Sequence, residues 1–266
     1  MVDIINPLID SPPSEVPLTN APLVRVIAQV RFPPILSIEK KEFVGSFQEA
    51  IRDKYPILQP EKTQGFILDP QGNVQSLTQV AWRFVDRTGN WRVSLSPNFV
   101  ALETNTYSSR SNFLERLEDI VTALNENFDP KIIERFGLRY VDRLVGQDLR
   151  DISSLVKPEI AGIVSTDFTD NIRQSINESL FIVPDEGQQI LARWGLISAN
   201  TTFDPDAIEP ITEPSWILDL DMSLSKNREF SIAALMKEAK QFSERLYTFF
   251  RWAVKDEFLQ RFGGEL

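Results

Sequence analysis

The longest regular pattern in the chain is the alternation of residues 132–145. Successive side chains of a β-strand point to opposite sides, so alternation separates two faces. One face is mostly apolar and holds Glu134, Phe136, Leu138, Tyr140, Asp142 and Leu144, while the other holds Arg135, Arg139 and Arg143. The pattern predicts one long strand with a row of arginines along one face.

Shorter patterns predict further elements on both sides of this strand. We expect strands at 23–32, 80–86, 91–95 and 99–105, and helices at about 41–54 and 111–128. In the helix at 41–54, Phe43, Phe47 and Ile51 are expected to face the core. Later segments predict a hairpin of strands 176–183 and 188–198, an acidic loop at 203–214, a strand at 216–222 and a helix at about 231–261.

The order hairpin, strand, helix therefore occurs twice, at 80–128 and at 176–261. It predicts an α+β fold with a predominantly antiparallel sheet and packed helices, and two similar halves are one interpretation. We predict an arm at 1–22, a first half at 23–146 and a second half at 147–266. A single domain over 23–266 is the alternative.

The arm is rich in proline, which excludes helix and inner strand over most of its length. Its five prolines are Pro7, Pro12, Pro13, Pro17 and Pro22. An extended conformation leaves three alternatives: the arm packs along the body, recognises a partner, or forms a partly ordered terminus.

The chain has no histidine and no cysteine, and this limits its chemistry. Ser-His-Asp and Cys-His catalysis, disulfides and sulfur-ligated metals are excluded. A metal site would need oxygen ligands and would favour Mg²⁺ or Mn²⁺. No Gly-rich phosphate loop or G-x-S-x-G elbow is present. These absences favour a protein that is not an enzyme.

Net charge and hydropathy indicate the environment. A formal charge of −10 opposes binding along duplex nucleic acid, which requires clustered Lys and Arg. The first residues lack the basic start and apolar core of a signal peptide, and no uncharged apolar run approaches the ~18 residues of a membrane span. We expect a cytoplasmic protein without membrane association and without a bound cofactor.

Two charged clusters are candidate sites. The row of Arg135, Arg139 and Arg143 could bind an anionic ligand, or could form ion pairs with a neighbouring strand. Asp219 and Asp221 share one face of the strand at 216–222. They could hold Mg²⁺ or Mn²⁺ with a third carboxylate, Glu103 or Glu134, or could instead pair with arginines.

The helix at 231–261 has more apolar surface than one sheet face covers. Met236, Phe250 and Val254 widen the stripe formed by Leu235, Phe242, Leu246 and Phe249. This surplus predicts a homodimer through the helix, unless the arm or the loop at 203–214 covers it. The leading hypothesis is a non-enzymatic module that binds another protein or itself. The alternative is a metal-dependent phosphoesterase or nucleotide-binding enzyme that uses Asp219 and Asp221.

Several segments, in order along nearly the whole chain, resemble a sporadically distributed family of uncharacterised prokaryotic proteins of roughly this length. They include Gln29-Val30-Arg31-Phe32-Pro33-Pro34, Gly137-Leu138-Arg139-Tyr140 and Leu218-Asp219-Leu220-Asp221, and the segment at 137–140 is the most specific. The resemblance implies no catalytic residues. A patchy distribution implies an accessory role, such as a bacterial defence or toxin-neutralising system.

Overall fold

A computed structural model describes residues 6–68, 74–184 and 187–265 of the chain. It shows a mostly antiparallel sheet with packed helices, which confirms the predicted α+β fold. No helix in these ranges is long and apolar enough to cross a membrane.

The strands and helices have the following bounds. The strands are β1 (Leu23–Arg31), β2 (Ile57–Leu68), β3 (Val74–Val85), β4 (Trp91–Ser96), β5 (Phe99–Thr104), β6 (Ile132–Val145), β7 (Ser175–Ile182), β8 (Gln189–Ile197) and β9 (Ser215–Glu229). The helices are α1 (Lys41–Ile51), α2 (Arg110–Phe128), α3 (Gly146–Arg150), α4 (Ile152–Leu155), α5 (Pro158–Ala161), α6 (Ile232–Ala253) and α7 (Asp256–Arg261).

The nine strands form one sheet in the order β2-β3-β4-β5-β1-β6-β9-β8-β7. Three consecutive strands followed by a long helix occur twice, as β3-β4-β5 with α2 and as β7-β8-β9 with α6. In each set the third strand lies next to a strand that came earlier in the chain, β1 or β6. This element order fits the interpretation of two similar halves.

The chain divides into two compact units. Unit 1 comprises Met1–Val26, Leu138–Leu224 and Glu238–Leu266, and unit 2 comprises Ile27–Gly137 and Ser225–Lys237. In unit 2, Phe47 of α1 contacts Phe84 of β3, and Phe113 of α2 contacts Trp91 of β4. In unit 1, Phe242, Leu246 and Phe249 of α6 are buried at 1% exposure or less. Each unit therefore has a core in which a long helix buries aromatic side chains.

The predicted helix at 231–261 is wrong as one continuous element. It ends at Ala253, and α7 begins at Asp256. Val254 forms a β-bridge with Val156, and the amide of Lys255 donates to the Leu155 carbonyl at 2.9 Å. These bonds hold residues 254 and 255 in an extended conformation, so the helix is interrupted there.

Other differences are local. β2, the first residues of β3 and the short helices α3, α4 and α5 were not predicted. β9 continues to Glu229, seven residues beyond the predicted end at 222. On α1 the buried stripe is Val44, Phe47 and Ile51, whereas Phe43 is 51% exposed.

Candidate functional site

The arginine face of β6 belongs to a chain of alternating charges that crosses four strands of unit 1. Glu178 on β7 accepts from Arg193 on β8 at 2.6 Å. Arg193 reaches Asp219 on β9 at 3.5 Å, and Asp219 accepts from Arg139 on β6. We call this set, with Asp204, the ion-pair ladder. Its existence supports the structural interpretation of Arg139 over an open anion site.

Arg139 binds two carboxylates of the ladder. Its Nε and Nη2 donate to the two carboxylate oxygens of Asp219 at 2.7 and 2.8 Å, and its Nη1 donates to Asp204 at 2.7 Å. Burial alone would lower the pKa of the guanidinium, but the bonds and charges of Asp219, and then those of Asp204, raise it. Arg139 therefore keeps its charge and already binds two carboxylates.

The other two arginines of the row have different surroundings. Arg143 donates from Nη2 to the Glu209 carbonyl at 2.8 Å, and burial lowers the pKa of its guanidinium. The guanidinium of Arg135 lies over Gly137, where a Cβ atom would come within 2.5 Å of it. The glycine thus makes room for the arginine. The structure brings together Arg139 and Asp219, and it places Arg143 against the loop after β8.

The proposed metal ligands are distributed as follows. Asp219 is 1% exposed, and both of its oxygens accept from guanidinium groups. Asp221 is half-buried and lies opposite Leu191 of β8. In unit 2, Glu103 pairs with Arg92, and Glu134 is exposed. Within the three described ranges, no group of three or more acidic side chains is arranged to hold a metal ion.

The strand β7, at the outer end of the sheet, is the second feature of interest. Its amide and carbonyl directions follow from its pairing with β8. Val183 donates to the Gln188 carbonyl at 2.9 Å, in step with the register that pairs Ile182 with Gln189. Hydrogen-bonded pairs alternate along an antiparallel ladder. The backbone groups that point away from β8 are therefore those of Ile176, Glu178, Leu180 and Ile182.

This outer edge carries few of the features that prevent edge pairing, such as proline, lysine or a bulge. Leu180 and Ile182 are 59% and 68% exposed. Glu178 is the one charged residue of β7, and it is bound to Arg193 in the ladder. At the start of the strand, Gly195 of β8 has φ +139°, and a Cβ atom there would lie 1.8 Å from the Ser175 carbonyl oxygen. That glycine lets β7 approach β8 closely.

The N-terminal arm lies on α6 and α7 within unit 1. Arg245 donates from Nη1 to the carbonyls of Pro7 and Asp10 at 3.1 and 2.7 Å. Tyr247 donates from its hydroxyl to the Ser14 carbonyl at 3.3 Å and accepts from the Val16 amide at 2.8 Å. Asn20 donates from its backbone amide to the Phe262 carbonyl at 3.1 Å. The arm thus packs along the body, which was one of the predicted alternatives.

Contacts within the chain cover part of the surplus apolar surface of the last helix. The ring of Phe250 stacks beside Tyr247 and contacts Phe258 edge-on, at centroid distances of 6.2 and 5.5 Å. The first stripe of α6 is buried, and Val254 is 5% exposed. Met236 and Phe250, which widen the stripe, are half-buried. The predicted dimer contact through this helix stays a prediction.

A cavity of about 230 Å³ lies between the arm and the body of unit 1. Leu8, Ile9 and Pro12 line it from the arm, and Met222 of β9 lines it from the sheet. Arg245 and Glu244 of α6 contribute charged groups to its wall. The arm consequently fills its site incompletely.

Sequence reasoning did not single out Arg245, Tyr247 or the outer edge of β7. The hairpin of β7 and β8 was predicted, but which of the two strands is outermost depends on the order of the whole sheet. Tyr247 and Arg245 contact backbone atoms more than 230 positions away in the chain. No local pattern reports such contacts.

Comparison of the chain with known protein families and with curated proteins found no match in either set.

Proposed function

We propose that this protein is a non-enzymatic binding module that works by adding a strand at the outer edge of β7. The observation that carries the proposal is that edge: four residues direct backbone amides and carbonyls away from β8, and two of them expose large apolar side chains. An extended segment that pairs there satisfies the backbone groups and covers the side chains.

The occupant that fits the edge best is β7 of a second copy. An antiparallel pair with its two-fold axis at Ser179 places Ile176 opposite Ile182 of the second copy. In the same register Glu178 lies opposite Leu180, so the two like charges do not meet. The outward-pointing backbone groups also face one another, as hydrogen-bonded pairs require. The homodimer is therefore closed and symmetric.

The ion-pair ladder supports this role. Glu178 is held by Arg193, which in turn reaches Asp219 and through it Arg139. Without these side-chain bonds, fewer interactions would hold the outermost strand β7 to β8. The ladder instead keeps β7 ordered before a partner binds, which lowers the entropic cost of association.

Light scattering over a range of micromolar concentrations tests the proposal. The chain should reach a mass near twice 30.4 kDa, and Leu180→Lys should return it to the monomer because a charge is placed in the paired edge. Ile163→Lys is the matched control, since Ile163 is 50% exposed and lies outside β7. A wild-type mass that stays at the monomer value, or a dimer that survives Leu180→Lys, would overturn the proposal.

A further inference from the structure

Side chains of α6 bind the arm through its backbone atoms. Five hydrogen bonds join the side chains of Arg245 and Tyr247 to residues 7–16, and these five go to backbone atoms of the arm, that of Ile9 included. A surface that binds backbone atoms selects an extended conformation and tolerates many side chains. This is how grooves for extended peptides work.

The arm has the conformation and the weak burial of a bound peptide. Residues 11–18 form neither helix nor strand, and they include Pro12, Pro13 and Pro17. No residue from 6 to 21 is buried, and Ile9 is 61% exposed. Proline-rich segments of this kind are pre-ordered and lose little entropy on binding. None of the arm's residues from 6 to 21 therefore belongs to the buried core.

Two glycines allow the side chains of the arm to approach the end of α7 closely. At Gly263 and Gly264 a Cβ atom would lie 2.0 Å from the Thr19 hydroxyl and 2.8 Å from Val16. The two glycines let the arm pass directly over the end of α7. At the other end, the cavity of about 230 Å³ beneath Leu8 and Ile9 leaves unfilled space, bordered by the polar side chains of Glu244, Arg245 and Thr248.

We infer that this surface, defined by Arg245, Tyr247, Gly263 and Gly264, is a binding groove for extended proline-rich segments. The arm occupies the groove as an intramolecular ligand, and a proline-rich segment of another protein displaces it. A tethered ligand has a high effective concentration, on the order of millimolar for a short flexible link. The arm therefore limits access to the groove, and only a segment that binds better than the arm enters. This inference is independent of the pairing at β7.

The test uses the full chain and a fluorescein-labelled synthetic peptide of residues 6–22, with fluorescence anisotropy as the readout. Asp10→Ala loosens the arm, because the Asp10 carboxylate accepts from the Asn6 amide at 2.6 Å and does not belong to the groove. The substitution removes one hydrogen bond from the bound arm, so the peptide should bind this variant about fivefold more tightly than it binds the wild type.

One control separates the groove from nonspecific binding. A peptide with glycine in place of Pro12, Pro13 and Pro17 should bind Asp10→Ala about tenfold more weakly than the natural peptide does, because it is less pre-ordered. Tyr247→Phe cannot serve as this control, since it removes the same two bonds from the tethered arm and from the peptide. No saturable binding to Asp10→Ala, or equal binding of the two peptides, would overturn the inference.

Discussion

Asp142 is a buried carboxyl group on the mostly apolar face of β6. It is 7% exposed, and burial raises its pKa from 3.8 to about 7. Desolvation favours the neutral acid, so the folded state binds this proton more tightly than the unfolded state does. The contribution of this bound proton to the free energy of unfolding is fully present below pH about 4. It is lost as pH rises through about 7.

Asp142→Asn should therefore change the pH dependence of stability. The free energy of unfolding of the wild type, relative to that of the variant, should fall between pH 4 and pH 8 by up to about 4 kcal/mol. Urea unfolding of both proteins at several pH values measures this difference. Asp167→Asn makes the same change of formal charge at an exposed position and serves as the control. If the difference in free energy of unfolding between wild type and Asp142→Asn stayed constant across this pH range, the raised pKa of Asp142 would be contradicted.

At the scale of elements, the ion-pair ladder ties four strands of unit 1 together through side chains. Asp219 holds its central position with 1% exposure, whereas the Asp204 side chain at the end of the ladder is 26% exposed. Removing one partner of a buried pair leaves an uncompensated charge, but a more exposed pair contributes little. The two aspartates that bind Arg139 should thus differ in importance.

Asp219→Asn should lower the free energy of unfolding by about 3 kcal/mol, because Arg139 and Arg193 lose their shared carboxylate. Asp204→Asn should cost about 1 kcal/mol or less. Chemical denaturation at neutral pH compares the two. Equal losses for both variants would mean that Asp219 does not hold the ladder together.

Elements with a strong local pattern were predictable from the sequence. The alternation at 132–145 gave β6 with its observed bounds, and the period of α2 placed Phe113, Leu117 and Leu124 in the core. On α1, Phe43 and Val44 both fit the spacing of Phe47 and Ile51. Only the position of the neighbouring elements decides that Val44 is buried. The break at Val254 likewise depends on a β-bridge to a distant segment.

The candidate sites were less predictable than the fold. The sequence offered both an anion site and ion pairs for Arg139, and the order of the sheet favours the ion pairs by placing β9 beside β6. The groove on α6 depends on Arg245 and Tyr247, which in the sequence resemble ordinary residues of an amphipathic helix. Their role follows from where the arm lies, and this is a tertiary property.

At the scale of the whole molecule, the proposed interaction surface lies at the β7 end of the sheet. Residues 185–186, in the connection between β7 and β8, lie outside the described ranges, and the proposed surface consists of β7 itself. A formal charge of −10 generates a general repulsion between two copies, and added salt should strengthen their association. Edge pairing is local and contains no opposed like charges, so it can overcome that repulsion.

Amide hydrogen exchange of β7, measured below and above the concentration at which the dimer forms, tests this claim most directly. The amides of Ser179 and Phe181 point towards β8, so they should be protected at both concentrations. The amides of Glu178, Leu180 and Ile182 point outward, so they should exchange rapidly in the monomer and slowly in the dimer. A dimer in which these three amides still exchange rapidly would contradict strand pairing at β7.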